Sequence, residues 1–424
     1  MFAPLKNLGL IVIDEEHSSS YKQDDSNPRY SAIDMAKERI KLNRGAKLVL
    51  GSATPTLERM AKSTKDLYKL IKLENRVNAS PLPNCCIIDM ADEIKKGNYL
   101  ISERLQVEIE SAISRGEQII LLLNRRGFST TITCSSCGFT HKCPNCDITL
   151  TYHKTKNNLR CHYCGYTIFK SDKCPKCHED LNFYGYGTEK LESEINKLYP
   201  DLRVLRMDTD TTKNKNGHEK IIEKFRDHEY DILLGTQMVS KGLDFSNVTL
   251  VGVINADTSL NIPDFRSSEN TFSLLSQVSG RSGRSTNNGE VVIQTFNPDH
   301  YAIDLVKNHD YLSFYKQEMM IRRQLKYPPY YYLCNIRISG KDSSYIFSES
   351  LKIKKSLEKN LLNTYILGPS NSNVFRVNNI YRYNIILKYK KDDNLYSILS
   401  KVLEHYKTNV KVKVDIDFNP SQIL

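Results

Sequence analysis

The sequence has no uninterrupted apolar stretch close to the roughly 20 residues that a membrane-spanning helix needs, which argues against a membrane role. Its first residues, MFAPLKNLGL, carry neither the basic segment nor the long apolar core of a secretory signal. A cytoplasmic protein without disulfides is therefore expected. Apart from its CxxC units, no repeat at a fixed period runs through the sequence. The phosphate-cradling signature GxxxxGK[ST] occurs nowhere, and GSATPT is no substitute because it has no lysine in the required position.

What is present is an ordinary globular composition, 40% hydrophobic and 26% charged, over 424 residues, enough for two or three domains. The net charge of +11 suits a polyanionic partner such as nucleic acid. Lys, Asn, Ile and Tyr are abundant throughout, so a compositional bias explains the same charge. Of the 11 cysteines, eight fall in four CxxC pairs between Cys134 and Cys177. In a chain with no secretory signal, that pattern points to metal rather than disulfides.

Residues 8–13 (LGLIVI) read as a strand buried on both faces of a parallel sheet, and the run ends abruptly in DEEH. A second run, Lys47 to Leu50, ends in GSATPT, with a helical stretch over 31–44 between the two. From residue 118 the pattern recurs as QIILLLNRRG, LRVLRMD, DILLGTQ, VTLVGVINAD and GEVVIQTF, a second doubly wound α/β lobe reaching about residue 300. The cysteine segment interrupts that lobe. Beyond Tyr327-Pro328-Pro329-Tyr330, strands around NIRIS, NIILKY and VKVDIDF and a basic helix over 345–360 suggest a small α+β module.

Asp14-Glu15-Glu16-His17 directly follows a buried strand, where ligand sites of open α/β sheets lie. An Asp there can hold Mg²⁺, and the adjacent Glu can polarise an attacking water. Ser52 and Thr54 of SAT would be small hydroxyl relays between nucleotide and DNA, although SAT alone reads as a turn. In the second lobe, Gln277-Val278-Ser279-Gly280-Arg281-Ser282-Gly283-Arg284 fits QxxGRxGR, whose arginines reach towards a γ-phosphate as charge develops. Thr236, with Lys241, Gly242 and Asp244, stands at a strand end facing the same cleft.

The four CxxC units are separated by five, fourteen and nine residues, so eight thiolates make two closed tetrahedral sites of structural zinc. Iron–sulfur ligation is the alternative chemistry. Three pairings of the units are possible, and spacing does not choose among them. Cys85, Cys86 and Cys334 are read as ordinary cysteines. Tyr152, His153, Lys154 and Arg160 lie between knuckles, placed for DNA or a protein partner.

Together DEEH, GSATPT, LLNRRGFS, GTQMVSKGLDF, NIPDFR and QVSGRSGR resemble the superfamily 2 helicase motifs in the form taken by PriA-type primosomal helicases, the cysteine insert after LNRRG being the most specific part of the match. YPPY and VDIDFNP resemble that family's carboxyl-terminal domain. The resemblance implies a partial first and a complete second RecA-like lobe, a two-zinc Cys-rich insert and a small α+β carboxyl-terminal domain. The expected segments are 1–75 for the carboxyl-terminal half of lobe 1, 76–133 for the linker and start of lobe 2, 134–180 for the zinc insert, 181–310 for the rest of lobe 2, and 311–424 for the last domain. MFAPLKNLGL resembles the interior of the family's first lobe, which implies an amino-terminally truncated member.

The implied function is an ATP-driven 3′-to-5′ DNA translocase of replication restart. Asp14, Glu15, His17, Arg281 and Arg284 would be catalytic, with Mg²⁺ accompanying ATP. Ser52, Thr54, Gly242, Asp244 and Gln277 would couple ATP to movement. Tyr21, Lys22 and Tyr30 of the loop YKQDDSNPRY, with Thr236 and Lys241, would meet DNA. The implied zinc pairing is nested: Cys134, Cys137, Cys174 and Cys177 for one ion, Cys143, Cys146, Cys161 and Cys164 for the other. Branched and single-stranded DNA, primosome proteins and single-stranded-DNA-binding protein are the implied partners. Leu243 and Ile33 depart from the family's usual His and Arg. With no GxxxxGK[ST], a non-catalytic zinc-dependent DNA- or primosome-binding fragment is the second reading.

Overall fold

A computed structural model describes the chain except for residues 1, 25–27, 44, 74–81, 124–130, 135, 154–156, 180, 182–187, 209–210, 212–216, 237–244, 283–288 and 424. Lys154, Lys241, Gly242, Leu243, Asp244 and Arg284 therefore lie outside the described residues.

The first apolar runs form β1 (Leu10–Ile13) and β4 (Lys47–Leu50), paired in parallel with Leu10 opposite Lys47. Between them lie the hairpin of β2 (Lys22–Gln23) and β3 (Tyr30–Ser31), and then α1 (Ala32–Leu42). The Ser31 hydroxyl caps α1 by accepting from the Asp34 amide, while Ile33 and Ala36 pack on Ile13. The expectation that β1 is buried on both faces does not hold. Leu10 is 55% exposed, Val12 61% and Val49 48%, because α1 covers one face of a two-stranded sheet and nothing described covers the other. α2 (Leu57–Ser63) follows GSATPT.

The second lobe comprises β5 (Asn84–Asp89), α3 (Met90–Lys95), α4 (Glu103–Ser114), β6 (Gln118–Leu122), α5 (Thr188–Leu198), β10 (Val204–Met207), α6 (Gly217–Arg226), β11 (Ile232–Gly235), β12 (Val248–Val253), α7 (Asp257–Leu260), α8 (Ser267–Ser279) and β13 (Glu290–Thr295). The cysteine segment contributes β7 (Thr151–His153), β8 (Asn158–Arg160) and β9 (Thr167–Phe169), a small antiparallel sheet. The lobe's six strands are all parallel, in the order β10-β11-β6-β12-β13-β5. Every residue of β6, β11 and β12 is buried, as uninterrupted apolar runs require when helices cover both faces. The chain leaves β6 for β10 on one side and later returns to β12 on the other, a reversal that opens a crevice at the strand ends.

α9 (Tyr301–Asp304) and the longer α10 (Tyr311–Leu325) lead to the last domain. There β14 (Tyr332–Gly340), β15 (Thr364–Val377), β16 (Ile380–Tyr389) and β17 (Lys413–Phe418) make an antiparallel sheet ordered β15-β16-β14-β17. α11 (Ser343–Asn360) and α12 (Leu395–Lys407) bury its apolar face through Ile346, Ile353, Leu399 and Val402 against Ile336, Ile338 and Ile385. Among the described residues no helix is long and apolar enough to cross a membrane.

Candidate functional site: the interlobe cleft and two metal centres

The DEEH turn divides its side chains between solvent and core. Asp14 and Glu15 are exposed, and Glu15 sits at a left-handed φ of 48° with its amide donating to the Asp14 carboxylate at 2.9 Å. Glu16 is buried: it pairs with Arg59 at 2.5 Å and accepts the Thr56 amide at 2.7 Å. Burial pushes the Glu16 pKa up, against the pull of Arg59. Glu16 thus fastens the turn to the start of α2, while Asp14 and Glu15 face solvent.

His17 joins the two lobes. Its Nδ1 lies 2.8 Å from the Ser52 hydroxyl and 3.4 Å from Glu15 Oε2, while its Nε2 contacts the Gln277 side-chain amide of α8. With the Gln277 N–H donating to Nε2, the proton sits on Nδ1 and is donated to Ser52. Ser52 in turn accepts the Thr54 amide at 3.1 Å, and the Thr54 hydroxyl lies 2.8 Å from that of Ser273, one turn before Gln277. Four sequence-predicted positions, His17, Ser52, Thr54 and Gln277, therefore meet in one hydrogen-bonded chain across the cleft. Ser273 was not foreseen, nor was Glu269, whose carboxylate accepts the Leu57 amide at 2.9 Å. Their signal was available, since positions 269, 273 and 277 recur every four residues on one helical face.

Arg281 is half-buried in the turn after α8, its amide bonded to the Val278 carbonyl at 3.0 Å, and Thr236 is half-buried just past β11. Of the loop after DEEH, Tyr21 donates its hydroxyl to the Asp14 carbonyl at 2.7 Å and Tyr30 meets Phe2 edge-on at 5.6 Å. The Lys22 ammonium is held by Asp417 of the carboxyl-terminal sheet at 2.9 Å. A cavity of about 810 Å³ opens among His17, Tyr21, Lys22, Thr54, Gln277 and Tyr331, bordered by both lobes and the last domain.

The eight paired thiols gather as Cys134, Cys137, Cys174 and Cys177, and as Cys143, Cys146, Cys161 and Cys164, with the sulfurs of each set within 4.8 Å of one another. Sγ separations of 3.5 Å (Cys134–Cys177), 3.6 Å (Cys137–Cys174) and 3.5 Å (Cys143–Cys164) are far longer than a disulfide of ~2.05 Å. They approach the edge of a tetrahedron with Zn–S bonds of ~2.3 Å, about 3.8 Å. Two zinc ions fit, paired in the nested arrangement, and each set of four thiolates leaves no open position for catalysis.

One turn builds all four half-sites. The fourth residue after each first cysteine donates its amide back to that cysteine's carbonyl: Gly138, Asp147, Gly165 and His178, each in the left-handed region with φ of 68°, 54°, 82° and 64°. The insert is locked to its surroundings by polar and aromatic contacts. The Asn297 side chain donates to the Gly138 carbonyl at 3.3 Å, Tyr163 donates to Asp264 at 3.0 Å, and Tyr327 of YPPY donates to the Cys146 carbonyl at 2.9 Å. Tyr327 also belongs to a stack of Lys388, Tyr327, Phe265 and Arg266, with the two rings 4.6 Å apart and each cation over an outer face. Cys85 and Cys334 are buried in β5 and β14, away from either thiol cluster.

Comparison with known proteins matches residues 143–168 to the PriA DNA helicase Cys-rich region (CRR) domain, 177–286 to the Helicase conserved C-terminal domain, and 323–421 to the Primosomal protein N C-terminal domain. The replication restart protein PriA of Bacillus subtilis is 47% identical over 100% of this chain and 53% of its own length. That of Synechocystis is 40% identical over 98% of this chain and 51% of its own. The chain spans about half the length of these curated relatives. Among solved structures, RecG bound to a three-way DNA junction aligns over 74% of this chain and 30% of its own at 11% identity, with a TM-score of 0.37, too slight a likeness to build on.

Proposed function

Because the chain belongs to the PriA family of replication restart proteins, we propose that its residues form one side of an ATP-driven DNA engine, moving 3′-to-5′ on stalled or branched forks and seeding primosome assembly. The observation that carries this reading is the hydrogen-bonded chain Ser52–His17–Gln277, which joins the DEEH turn to the QxxGRxGR helix across the cleft. In it Asp14 would hold Mg²⁺, Glu15 would polarise the attacking water, and Arg281 with Arg284 would meet the γ-phosphate. Movement of one lobe against the other must strain the His17–Gln277 contact, so ATP chemistry and lobe position are coupled there. Ser52, Thr54, Gly242 and Asp244 complete that coupling.

Tyr21 and Tyr30 suit base stacking, while Thr236 and Lys241 suit phosphate. Lys22 would join them only by releasing Asp417. Branched and single-stranded DNA, primosome proteins and single-stranded-DNA-binding protein are the partners in this reading, in the cytoplasm. The zinc insert, closed to chemistry, serves as a rigid bracket between lobe 2 and the last domain.

The test joins the amino-terminal half of the Bacillus subtilis relative in front of this chain. DNA-stimulated ATP hydrolysis is expected from the joined protein and falls about a thousandfold with Glu15→Gln or Arg284→Ala. The 424 residues alone are expected to hydrolyse ATP negligibly, since positioning and charge stabilisation of the phosphates both need the missing GxxxxGK[ST] cradle. Turnover by the 424 residues alone, or an inert joined protein, would overturn the reading.

A further inference from the structure

Arg322 of α10 is only 1% exposed, yet its guanidinium serves three parts of the molecule. It lies 2.6 Å from Glu269 on α8 of lobe 2, 3.0 Å from Glu318 on its own helix, and 3.7 Å from Glu58 on α2 of lobe 1. It also donates to the Pro328 carbonyl of the YPPY turn at 3.2 Å. Arg266 supplies a second cation, 3.3 Å from Glu58 and 3.2 Å from the Pro420 carbonyl. Burial raises the pKa of Glu269 despite Arg322; it also pushes Glu58 up, but Arg266 and Arg322 outweigh it and hold Glu58 low.

A buried ion network of this kind is weak evidence for stability, because desolvating the charges costs about as much as pairing them returns. Its better-attested use is to specify one arrangement among several. The arrangement specified here is visible at the first turn of α2. The Thr56 amide is accepted by Glu16 of lobe 1 at 2.7 Å, and the next amide, Leu57, by Glu269 of lobe 2 at 2.9 Å. One carboxylate from each lobe thus grips the same turn, and the Tyr311 hydroxyl of α10 holds the preceding Pro55 carbonyl at 2.7 Å.

We propose that Arg322 is a positioning residue: by fixing Glu269 and Glu58 it sets the lobe 1 segment Thr54–Glu58 against lobe 2, and so links the register of the ATPase cleft to the YPPY turn of the carboxyl-terminal domain. The kinetic part of this inference rests on the helicase reading above; the structural part does not.

The test uses Arg322→Lys, which keeps the charge but loses the planar fork, and Glu269→Gln, which keeps size and the Leu57 acceptor but loses the attraction to Arg322. In the 424-residue chain, hydrogen exchange at amides 56–60 is expected to rise about tenfold or more in both variants, while amides of β14 and β16 and the zinc content stay unchanged. If Arg322→Lys loses zinc and unfolds, Glu269→Gln decides. In the joined protein, DNA-stimulated kcat is expected to fall about 100-fold with KM for ATP within about threefold, since no ATP contact is touched. Unchanged exchange in the folded variants would overturn the clamp. Raised exchange with unchanged kcat would overturn its role in the reaction. An inert joined wild type would sink the helicase reading, while the exchange measurement still decides the clamp.

Discussion

Gly138→Ala separates two reasons for a glycine that the zinc insert otherwise confounds. Gly138 and Gly165 hold the same place in their knuckles, at φ of 68° and 82°. Alanine in the left-handed region costs about 1 kcal/mol at either site. The surroundings differ. A Cβ on Gly138 would stand 2.1 Å from the Phe296 carbonyl oxygen and 2.9 Å from Asn297 Oδ1, whereas at Gly165 the nearest atom is 3.9 Å away. Phe296 cannot retreat cheaply, because buried Asp257 holds its amide at 2.7 Å and the Asn297 side chain at 2.6 Å. Opening that contact by more than 1 Å should cost about 1–3 kcal/mol as overpacking, and about 1 kcal/mol more if the Asn297–Gly138 bond is lost. With that bond lost, Gly138→Ala is therefore expected to cost about 3–5 kcal/mol, and Gly165→Ala about 1 kcal/mol. Metal binding and folding are one equilibrium in such modules, so zinc release to a coloured chelator reads the difference. Zinc release should quicken by more than about 100-fold from the Cys134, Cys137, Cys174 and Cys177 site in Gly138→Ala, and only about fivefold from the Cys143, Cys146, Cys161 and Cys164 site in Gly165→Ala. Equal release from the two variants would refute the argument that lobe 2, rather than the knuckle, demands this glycine.

Elemental analysis of the purified chain should find two zinc ions, and Cys134→Ser should remove one of them; iron with visible absorbance would overturn the assignment. His300 is held neutral by burial and by Lys142, with a pKa lowered to about 4, and its Nδ1 accepts the Ala302 amide at the start of α9. The unfolded imidazole takes its proton near the ordinary 6.5, so this contribution is full above that pH and is lost as pH falls below it. Between about pH 7.5 and 5.5 the wild type should lose about 1 kcal/mol that His300→Asn does not, a difference readable from paired urea melts. Asp417→Asn should free Lys22 for phosphate; the slope of log affinity for single-stranded DNA against log salt should steepen by about 1, and an unchanged slope would place Lys22 off the DNA path.

The parts of the fold legible in the sequence are those whose own residues carry the constraint. β6, β11 and β12 are largely apolar runs because both faces are covered, and the helical stretch read over 31–44 is α1, Ala32–Leu42. β5 was not read as a strand, its segment being taken as linker and start of lobe 2, since its place at the sheet edge comes from pairing with β13, about 200 residues later. β15 escaped notice for a different reason: its 14 residues include GPSNSN, and the register slips twice against β16. α12 did carry a signal, with Leu395, Leu399, Val402 and Tyr406 at helical spacing, that composition alone obscured.

The site divides in the same way. DEEH, SAT and QxxGRxGR are local motifs, and four of their residues meet in one hydrogen-bonded chain. The zinc ligands were evident as thiols but not as pairs. All four knuckles are one turn repeated, so nothing within a CxxC distinguishes its partner; the choice is made by β7–β9 and the contacts that carry Cys134 to Cys177, 43 residues away. The burial of three charges was not legible, although one of them, Glu269, shares the helical face of Gln277. Glu58, Glu269 and Arg322 look like solvated helix residues, because charged side chains at helical spacing usually are. Only the meeting of α2, α8 and α10 removes water from them, and a charge without water must find a partner or neutralise. These buried charges relate one lobe to the other although their local sequence says little, since their partners stand 53 and 212 residues away.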